Sequence, residues 1–255
     1  MKLTWYGTAA LLLESGRTAI AFDPFLGIAP GDSTGAPARR ATALGNVGNV
    51  FVTHGHFDHI LQIPAICPEA RIYATSTPCE GLRRRGLRDL CRIAPGQTVE
   101  VGPFSVRAYQ GRHCRFDAAL IRRTACSGRV WKHLPHMLRL LRWNRRCPEN
   151  GEILFYELCA EGKRVQIMGS LGLDPDTDYP VGADVLVLPY QGRSDLADCA
   201  MPIVERLAPK RVVLDHYDDS FPPMTSNIDT SGFEAQLTLR GILCRALRTG
   251  ETSTL

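Results

Sequence analysis

The stretch Thr53-His54-Gly55-His56-Phe57-Asp58-His59 determines how the rest of this 255-residue chain is interpreted. It places three imidazoles and a carboxylate within six residues, directly after a hydrophobic strand predicted over 49–53. Imidazole and carboxylate groups are ligands that Zn²⁺, Mn²⁺ and Fe²⁺ accept in proteins. A loop that leaves a strand can turn His54 and His56 toward one ion while Asp58 and His59 face another. The stretch therefore predicts a metal centre rather than a solvated loop.

Segments of strand length flank this stretch on both sides. Alternating polarity and turn residues predict strands at 3–6, 10–13, 18–22, 71–75, 98–101, 104–109, 185–188 and 211–214, with two more between 152 and 168. Helices are predicted at 61–67, 78–85, 199–207 and about 230–239. Residues 27–48 are rich in Gly, Pro and Ala and predict a surface loop that overhangs a site. The chain thus reads as two β-rich halves.

The composition is that of a globular protein. With 44% apolar and 22% charged residues, the chain is long enough to bury a large core, and we expect one domain over 1–255. No window approaches the roughly 18 apolar residues of a membrane span, and Glu14 stands where a signal peptide would be cleaved, so we expect a cytoplasmic protein. Nine scattered cysteines without a C-x-x-C pair argue against a disulfide framework or a zinc knuckle.

Basic residues are concentrated in one segment, although the net charge is only +4. Eight basic residues and no acidic residue lie between Arg122 and Arg146, which leaves 22 basic and 26 acidic residues in the rest of the chain. This distribution predicts one local basic feature and argues against a nucleic-acid-binding surface over the whole protein.

Inside this basic insertion, which spans about 122–148, the segment 133–146 has the period of an amphipathic helix. One predicted face consists of Leu134, Met137, Leu138 and Leu141, and another of Arg139, Arg142 and Arg146. Three roles fit: a surface helix packed through its apolar stripe, a lid whose arginines face an anionic substrate, or a helix resting on an anionic membrane. Between the lid and the membrane helix, the short distance along the chain from His113 favours the lid, and the packed surface helix stays open.

The pattern H-x-H-x-D-H at 54–59 resembles the metal-binding signature of the metallo-β-lactamase superfamily. Asp23-Pro24-Phe25, after a predicted strand, resembles the early aspartate of that superfamily, which supports the site without binding metal. The resemblance covers nearly the whole chain and implies an α/β fold, a four-layer αβ/βα sandwich of two mixed β-sheets flanked by helices. Within the superfamily, the length and compact start resemble the L-ascorbate-6-phosphate lactonase-like group of metal-dependent hydrolases.

The resemblance also implies the ligands of a first metal. His54 and His56 would be joined by His113, which follows the predicted strand at 104–109. His133 and His136 compete for this role, but their helical spacing in the basic segment favours a surface or lid position. The implied cofactor is Zn²⁺, as one or two ions, with Mn²⁺ or Fe²⁺ as alternatives.

A second metal would take Asp58, His59 and His216, which directly follows a predicted buried strand. The sequence departs from the superfamily at the metal-bridging aspartate, because Ser170 stands at that position. A neutral hydroxyl is a poor metal ligand beside a carboxylate. The protein therefore works with one metal, or holds two metals more weakly.

The implied function is a metal-dependent hydrolase that cleaves a small anionic ester, lactone or phosphodiester, with Asp58 orienting the attacking water or taking its proton. Arg112, Tyr190 and Arg193 are weaker candidates for substrate contact, alongside the lid arginines Arg139 and Arg142. Two alternatives stay open: a nucleic-acid-processing hydrolase with residues 122–146 as an arm, and a non-catalytic ligand-binding relative. We expect a small anionic molecule as the partner rather than nucleic acid, with membrane contact through 133–146 as a further alternative. The sequence predicts no oligomeric state.

Overall fold

The computed structural model describes residues 1–37 and 42–255. Its strands are β1 (Lys2–Gly7), β2 (Ala10–Ser15), β3 (Thr18–Phe22), β4 (Asn49–Phe51), β5 (Arg71–Ala74), β6 (Leu90–Arg92), β7 (Thr98–Val101), β8 (Phe104–Gln110), β9 (Leu154–Ala160), β10 (Lys163–Met168), β11 (Val185–Pro189), β12 (Arg211–Asp215), β13 (Leu243–Ala246) and β14 (Thr252–Thr254). Its helices are α1 (Thr42–Gly45), α2 (Phe57–Ile60), α3 (Ile63–Ile66), α4 (Ser76–Arg84), α5 (Ala118–Ala125), α6 (Gly128–Lys132), α7 (Leu134–Arg146), α8 (Leu196–Leu207) and α9 (Ser231–Thr238).

The described strands form two seven-stranded sheets, each of them mixed. The first sheet has the order β14-β1-β2-β3-β4-β5-β6, with antiparallel pairing up to β3 and parallel pairing from β3 to β6. The second has the order β13-β12-β11-β10-β9-β8-β7, antiparallel from β7 to β10 and parallel from β10 to β13. The two predicted β-rich halves are therefore two sheets, with β14 returning to the first.

Adjacent residues of β4 show how the layers are built, since neighbouring side chains of a strand point to opposite faces. Phe51 belongs to the core between the two sheets, where it stacks on Tyr73 and meets the edge of Tyr156. Val50 belongs to a second core between the first sheet and its helices. A third core lies between the second sheet and α8 and α9. These layers confirm the predicted four-layer αβ/βα sandwich.

The insertion forms three helices, α5 to α7, and α7 buries a face that the sequence did not predict. Its buried side chains are His136, Leu140 and Trp143, and the latter two pack into the core beneath the first sheet. Leu134, Leu138 and Leu141 are exposed. The proposed packing of this helix through its leucine stripe is therefore wrong, because the side chains at 136, 140 and 143 occupy the inward side.

The predicted surface loop at 27–48 is described in part. Residues 38–41 lie outside the described residues, and the segment also contains the short helix α1, whose Leu44 is buried. Within 1–37 and 42–255, the structure contains no helix long and apolar enough to cross a bilayer.

Candidate metal centre

The five predicted histidine ligands and Asp58 lie together where several strands end at one edge of the sandwich. His54 and His56 lie in the loop after β4, and Asp58 and His59 lie on α2. His113 follows β8. His216 follows β12 in a left-handed backbone conformation, with a φ of 57°, and its backbone N–H donates to the Thr8 carbonyl.

Three histidines form a first group whose ligand atoms all lie within 4.8 Å of one another: His54, His56 and His113. His54 Nε2 lies 3.1 Å from His56 Nδ1, and the rings of His56 and His113 are 4.8 Å apart. Nitrogens bound to one tetrahedral zinc ion at about 2.0–2.1 Å would be separated by about 3.3–3.4 Å. The separation between His54 and His56 is close to this value, and all three side chains have the chemistry to bind a single divalent ion.

Asp58, His59 and His216 form a second group, again with ligand atoms within 4.8 Å of one another. His59 Nε2 lies 3.4 Å from His216 Nε2 and 3.8 Å from Asp58 Oδ2. The two groups adjoin, because the rings of His54 and His59 are 3.9 Å apart. The geometry thus brings together all six residues predicted to bind metal and separates them into the two predicted sets.

Asp23 is buried and contacts His59, a member of the second group. Its carboxylate accepts hydrogen bonds from the Thr53 backbone N–H (2.9 Å) and the Thr53 hydroxyl (2.6 Å), and it lies 2.9 Å from His59 Nδ1. Since a carboxylate only accepts, His59 carries its proton on Nδ1 and presents Nε2 to the second group. Such carboxylate–histidine pairs orient metal ligands and increase their basicity.

Ser170 lies beside the site but holds the loop that carries His113. The Ser170 hydroxyl accepts the Cys114 backbone N–H at 3.1 Å, and His113 Nδ1 lies 2.7 Å from the Cys114 carbonyl. A carbonyl only accepts, so His113 keeps its proton on Nδ1 and leaves Nε2 for an ion. The preceding residue, Gly169, allows this turn to approach Thr53 closely, because a Cβ at position 169 would lie only 2.7 Å from Thr53 Cβ.

Burial controls the protonation of two members of the first group, His54 and His56. It lowers the pKa of His54 well below its usual value and lowers the pKa of His56 to about 4. Both rings are therefore neutral near pH 7, which is the form that binds a metal.

The second group carries more charge. Burial alone would raise the pKa of Asp58, but the neighbouring imidazoles, led by His59, bring it below its usual value. Burial alone would lower the pKa of His216, but nearby carboxylates, led by Asp215, raise it to about 9. Asp58 is therefore ionised near pH 7. The His216 imidazole is protonated at that pH when no metal is bound, and its positive charge is stabilised by Asp215, whose Oδ1 lies 3.3 Å from His216 Nδ1.

Both groups line a cavity of about 670 Å³, which is large enough for a small organic molecule. One wall comes from the insertion, where Leu120, Arg123, Thr124 and Ser127 face the cavity. The opposite walls are supplied by residues 189–198 and 221–229. The insertion therefore contributes to the site through α5, the start of α6 and Asn144 of α7, and not through the arginines of α7.

Some of the predicted substrate-contact residues line the cavity and the others lie outside it. Tyr190 lines the cavity and stacks on Phe233, and burial raises its pKa to about 12, so the phenol is neutral. Arg193 also lines the cavity, but its guanidinium already donates to both oxygens of Asp195 at 2.8 and 2.7 Å. The structure does not place Arg112, Arg139 or Arg142 among the cavity-lining residues.

Sequence reasoning missed two cations in the cavity, Arg123 and Arg129, and only Arg129 is paired with a carboxylate of the described residues. The sequence could have indicated that Arg123 shares a helix face with other cavity-lining residues, because Leu120, Arg123, Thr124 and Ser127 are spaced at i, i+3, i+4 and i+7. His133 and His136, the competing histidines, belong to neither metal-binding group.

Comparison with known proteins agrees with this fold. The Beta-lactamase superfamily domain matches residues 18–217, and the chain belongs to this superfamily. It is 27% identical to a UPF0173 metal-dependent hydrolase of Methylobacterium nodulans over 233 residues, which cover 90% of this chain and 89% of that protein. The L-ascorbate-6-phosphate lactonase-like branch stays a prediction.

Solved structures share the architecture at low sequence identity. Igni18, a metallo hydrolase from Ignicoccus hospitalis, has a TM-score of 0.64 and 19% identity over 99% of this chain and 97% of its own. An isothiocyanate hydrolase from Delia radicum gut bacteria has a TM-score of 0.63 and 17% identity over 100% of this chain and 99% of its own. At these identities the similarity establishes the fold alone.

Proposed function

We propose that the protein is a zinc-dependent hydrolase that cleaves a small anionic ester, lactone or phosphodiester. The observation that carries this proposal is the pair of adjoining ligand groups at the base of a cavity of about 670 Å³. The similarity to a relative named as a metal-dependent hydrolase supports the same reaction class.

The chain provides both the ligands and a base. His54, His56 and His113 would hold one ion, and Asp58, His59 and His216 a second. A bound divalent ion supplies Lewis-acid chemistry, because it makes water acidic enough to yield hydroxide near neutral pH. Asp58 remains ionised near pH 7, and its carboxylate can orient the attacking water or accept its proton.

Arg123 would bind the negative charge of the proposed anionic substrate. Arg129 and Arg193 also line the cavity, but both are engaged: Arg129 Nη2 lies 2.5 Å from Asp219 Oδ2, and Arg193 pairs with Asp195. An unpaired guanidinium can donate two parallel hydrogen bonds to a carboxylate or phosphate. The neutral hydroxyl of Tyr190 is a further donor on the opposite wall.

The metal requirement is tested with His56→Ala, with His133→Ala as the control histidine outside both groups. The purified variants are analysed for metal and assayed on a panel of lactone, phosphodiester and thioester substrates. We expect His56→Ala to lose bound zinc and all turnover, and His133→Ala to keep both. A His56→Ala protein that retained both would contradict the proposal, and a zinc-loaded wild type inactive on every class would favour a non-catalytic relative.

The substrate charge is tested with Arg123→Gln, with Arg122→Gln as the exposed neighbour that does not line the cavity. Loss of a charge-assisted hydrogen bond worth about 1.5–3 kcal/mol raises KM about 10- to 150-fold when kcat is unchanged. We expect that increase for Arg123→Gln only, and only with an anionic substrate. Equal KM values for the two variants would exclude Arg123 as the anion-binding residue.

The cytoplasm is the proposed compartment. All nine cysteines are free thiols, including four buried ones: Cys67, Cys79, Cys147 and Cys244. Free thiols persist where glutathione and thioredoxin keep proteins reduced.

A further inference from the structure

Four large apolar side chains are exposed on neighbouring turns of the insertion. Trp131, at the end of α6, is 67% exposed, and Leu134, Leu138 and Leu141 on α7 are 37%, 57% and 38% exposed. Soluble proteins rarely leave an apolar patch of this kind without an interaction partner. We call the surface formed by these four exposed side chains the outer face.

The direction of the outer face follows from helical geometry. At about 3.6 residues per turn, positions 134, 138 and 141 lie opposite 136, 140 and 143. The latter three are buried, so α7 is fixed to the protein by one side and turns its leucines away from it. None of these leucines belongs to the three cores, and their exposure does not result from incomplete packing of the helix.

Positive charge surrounds this apolar stripe. Lys132, Arg142, Arg145 and Arg146 are exposed beside it. Seven of the eight basic residues between 122 and 146 form no ion pair with a carboxylate of the described chain, the exception being Arg129. No acidic residue lies in that interval. The outer face thus combines apolar area with uncompensated positive charge.

We propose that the outer face docks on an anionic phospholipid surface. A helix that lies on a membrane presents leucine and tryptophan to the acyl boundary and arginine and lysine to anionic headgroups, which is the composition found here. A second copy of the chain fits less well, because a symmetric pairing would bring two uncompensated basic segments together. Nucleic acid fits less well, since it would cover the arginines and leave the central leucines exposed.

Flotation with vesicles tests this proposal on the intact protein at about 0.1 M salt. One vesicle preparation is phosphatidylcholine alone, and the other contains about 30% phosphatidylglycerol. The apolar variant is Leu134→Ser/Leu138→Ser, and the charge variant is Arg142→Gln/Arg145→Gln/Arg146→Gln. The matched controls are Leu239→Ser/Leu243→Ser and Arg245→Gln/Arg248→Gln, which alter exposed residues elsewhere.

We expect the wild type to float with the anionic vesicles and to stay in solution with phosphatidylcholine. The charge variant should bind about 100-fold more weakly, from about fivefold for each arginine near the surface. The apolar variant should also lose binding, and both controls should bind like the wild type. Because the altered residues are exposed, each variant should fold, and circular dichroism checks this. The single substitution Leu138→Gln repeats the test with a smaller change to the outer face.

Three results would overturn the proposal. The first is a wild type that remains in solution with anionic vesicles. The second is binding that the controls reduce as much as the outer-face variants do. The third is a wild-type protein that is a dimer by light scattering and binds no vesicles, while Leu134→Ser/Leu138→Ser is a monomer. The outer face would then be an interface between two copies of the chain.

Discussion

Replacing Asp23 by Asn tests whether the buried carboxylate beneath the site controls metal binding. The substitution preserves the shape of the side chain. Asp23 has a φ of 42°, and Asn is one of the few residues that adopt this left-handed conformation readily. The change therefore removes a charge and an acceptor without adding backbone strain.

The magnitude follows from the three donors around Asp23. An amide oxygen can still accept the Thr53 backbone N–H, and the Thr53 hydroxyl can rotate to accept from the amide nitrogen. The His59 Nδ1–H, which lies 2.9 Å from the carboxylate, would then face another donor. Leaving a buried donor unpaired and losing one charge-assisted hydrogen bond destabilises the metal-free fold by about 2–4 kcal/mol. Zinc affinity should fall about 10- to 100-fold, as found when partners of metal-binding histidines are removed.

Zinc competition against a chromophoric chelator measures the affinity, and urea unfolding in the presence of chelator measures the metal-free stability. Asp89→Asn is the control, since Asp89 forms a solvent-exposed ion pair with Arg71 at 3.0 Å, and its loss should leave the zinc affinity and the metal-free stability nearly unchanged. An Asp23→Asn protein with the zinc affinity and stability of the wild type would refute the role assigned to this carboxylate.

The remaining predictions concern the turn at Ser170, the packing of α7 and the close approach at Gly169. Ser170→Asp should raise zinc content toward two ions per chain, and unchanged stoichiometry by elemental analysis would count against its assignment to the bridging position. Leu140→Ala should cost about 2–5 kcal/mol in urea unfolding, whereas Leu138→Ala on the exposed side should change stability by less than about 0.5 kcal/mol; equal losses would mean that both sides are packed. Gly169→Ala should destabilise by about 1–3 kcal/mol because its Cβ meets two atoms closer than 3.0 Å, while Gly48→Ala meets none within 4 Å and serves as the control.

The candidate metal centre was predictable because its chemistry is local in the sequence. His54, His56, Asp58 and His59 are adjacent to a strand whose hydrophobic run is evident, and a loop at a strand end carries its side chains to the sheet edge. His113 and His216 are far away in sequence, and the superfamily resemblance rather than their spacing selected them. The structure shows both at the ends of strands that reach the same edge.

The insertion was harder to predict because tertiary packing decided which side of α7 faces inward. Its leucines mark a strongly apolar stripe, yet the larger Trp143 and the neighbouring Leu140 fill the space beneath the first sheet. The short strands β13 and β14 were missed for a related reason. Leu-Cys-Arg-Ala and Thr-Ser-Thr show no clear strand pattern, and each becomes a strand through pairing with a longer neighbour, β12 or β1.

The distribution of carboxylates indicates which ligand group binds zinc first. The first group is three imidazoles, whereas the second contains Asp58 and has Asp23 and Asp215 directly behind its histidines. A cation is stabilised by nearby negative charge in a region of low dielectric. Because position 170 is a serine and not a carboxylate, the first group has no negatively charged ligand beside it. We therefore expect the first equivalent of zinc to enter the second group, where it displaces the proton that the nearby carboxylates hold on His216. His216→Ala should then weaken binding of the first equivalent far more than His113→Ala, and the reverse order in a zinc titration would contradict this electrostatic argument.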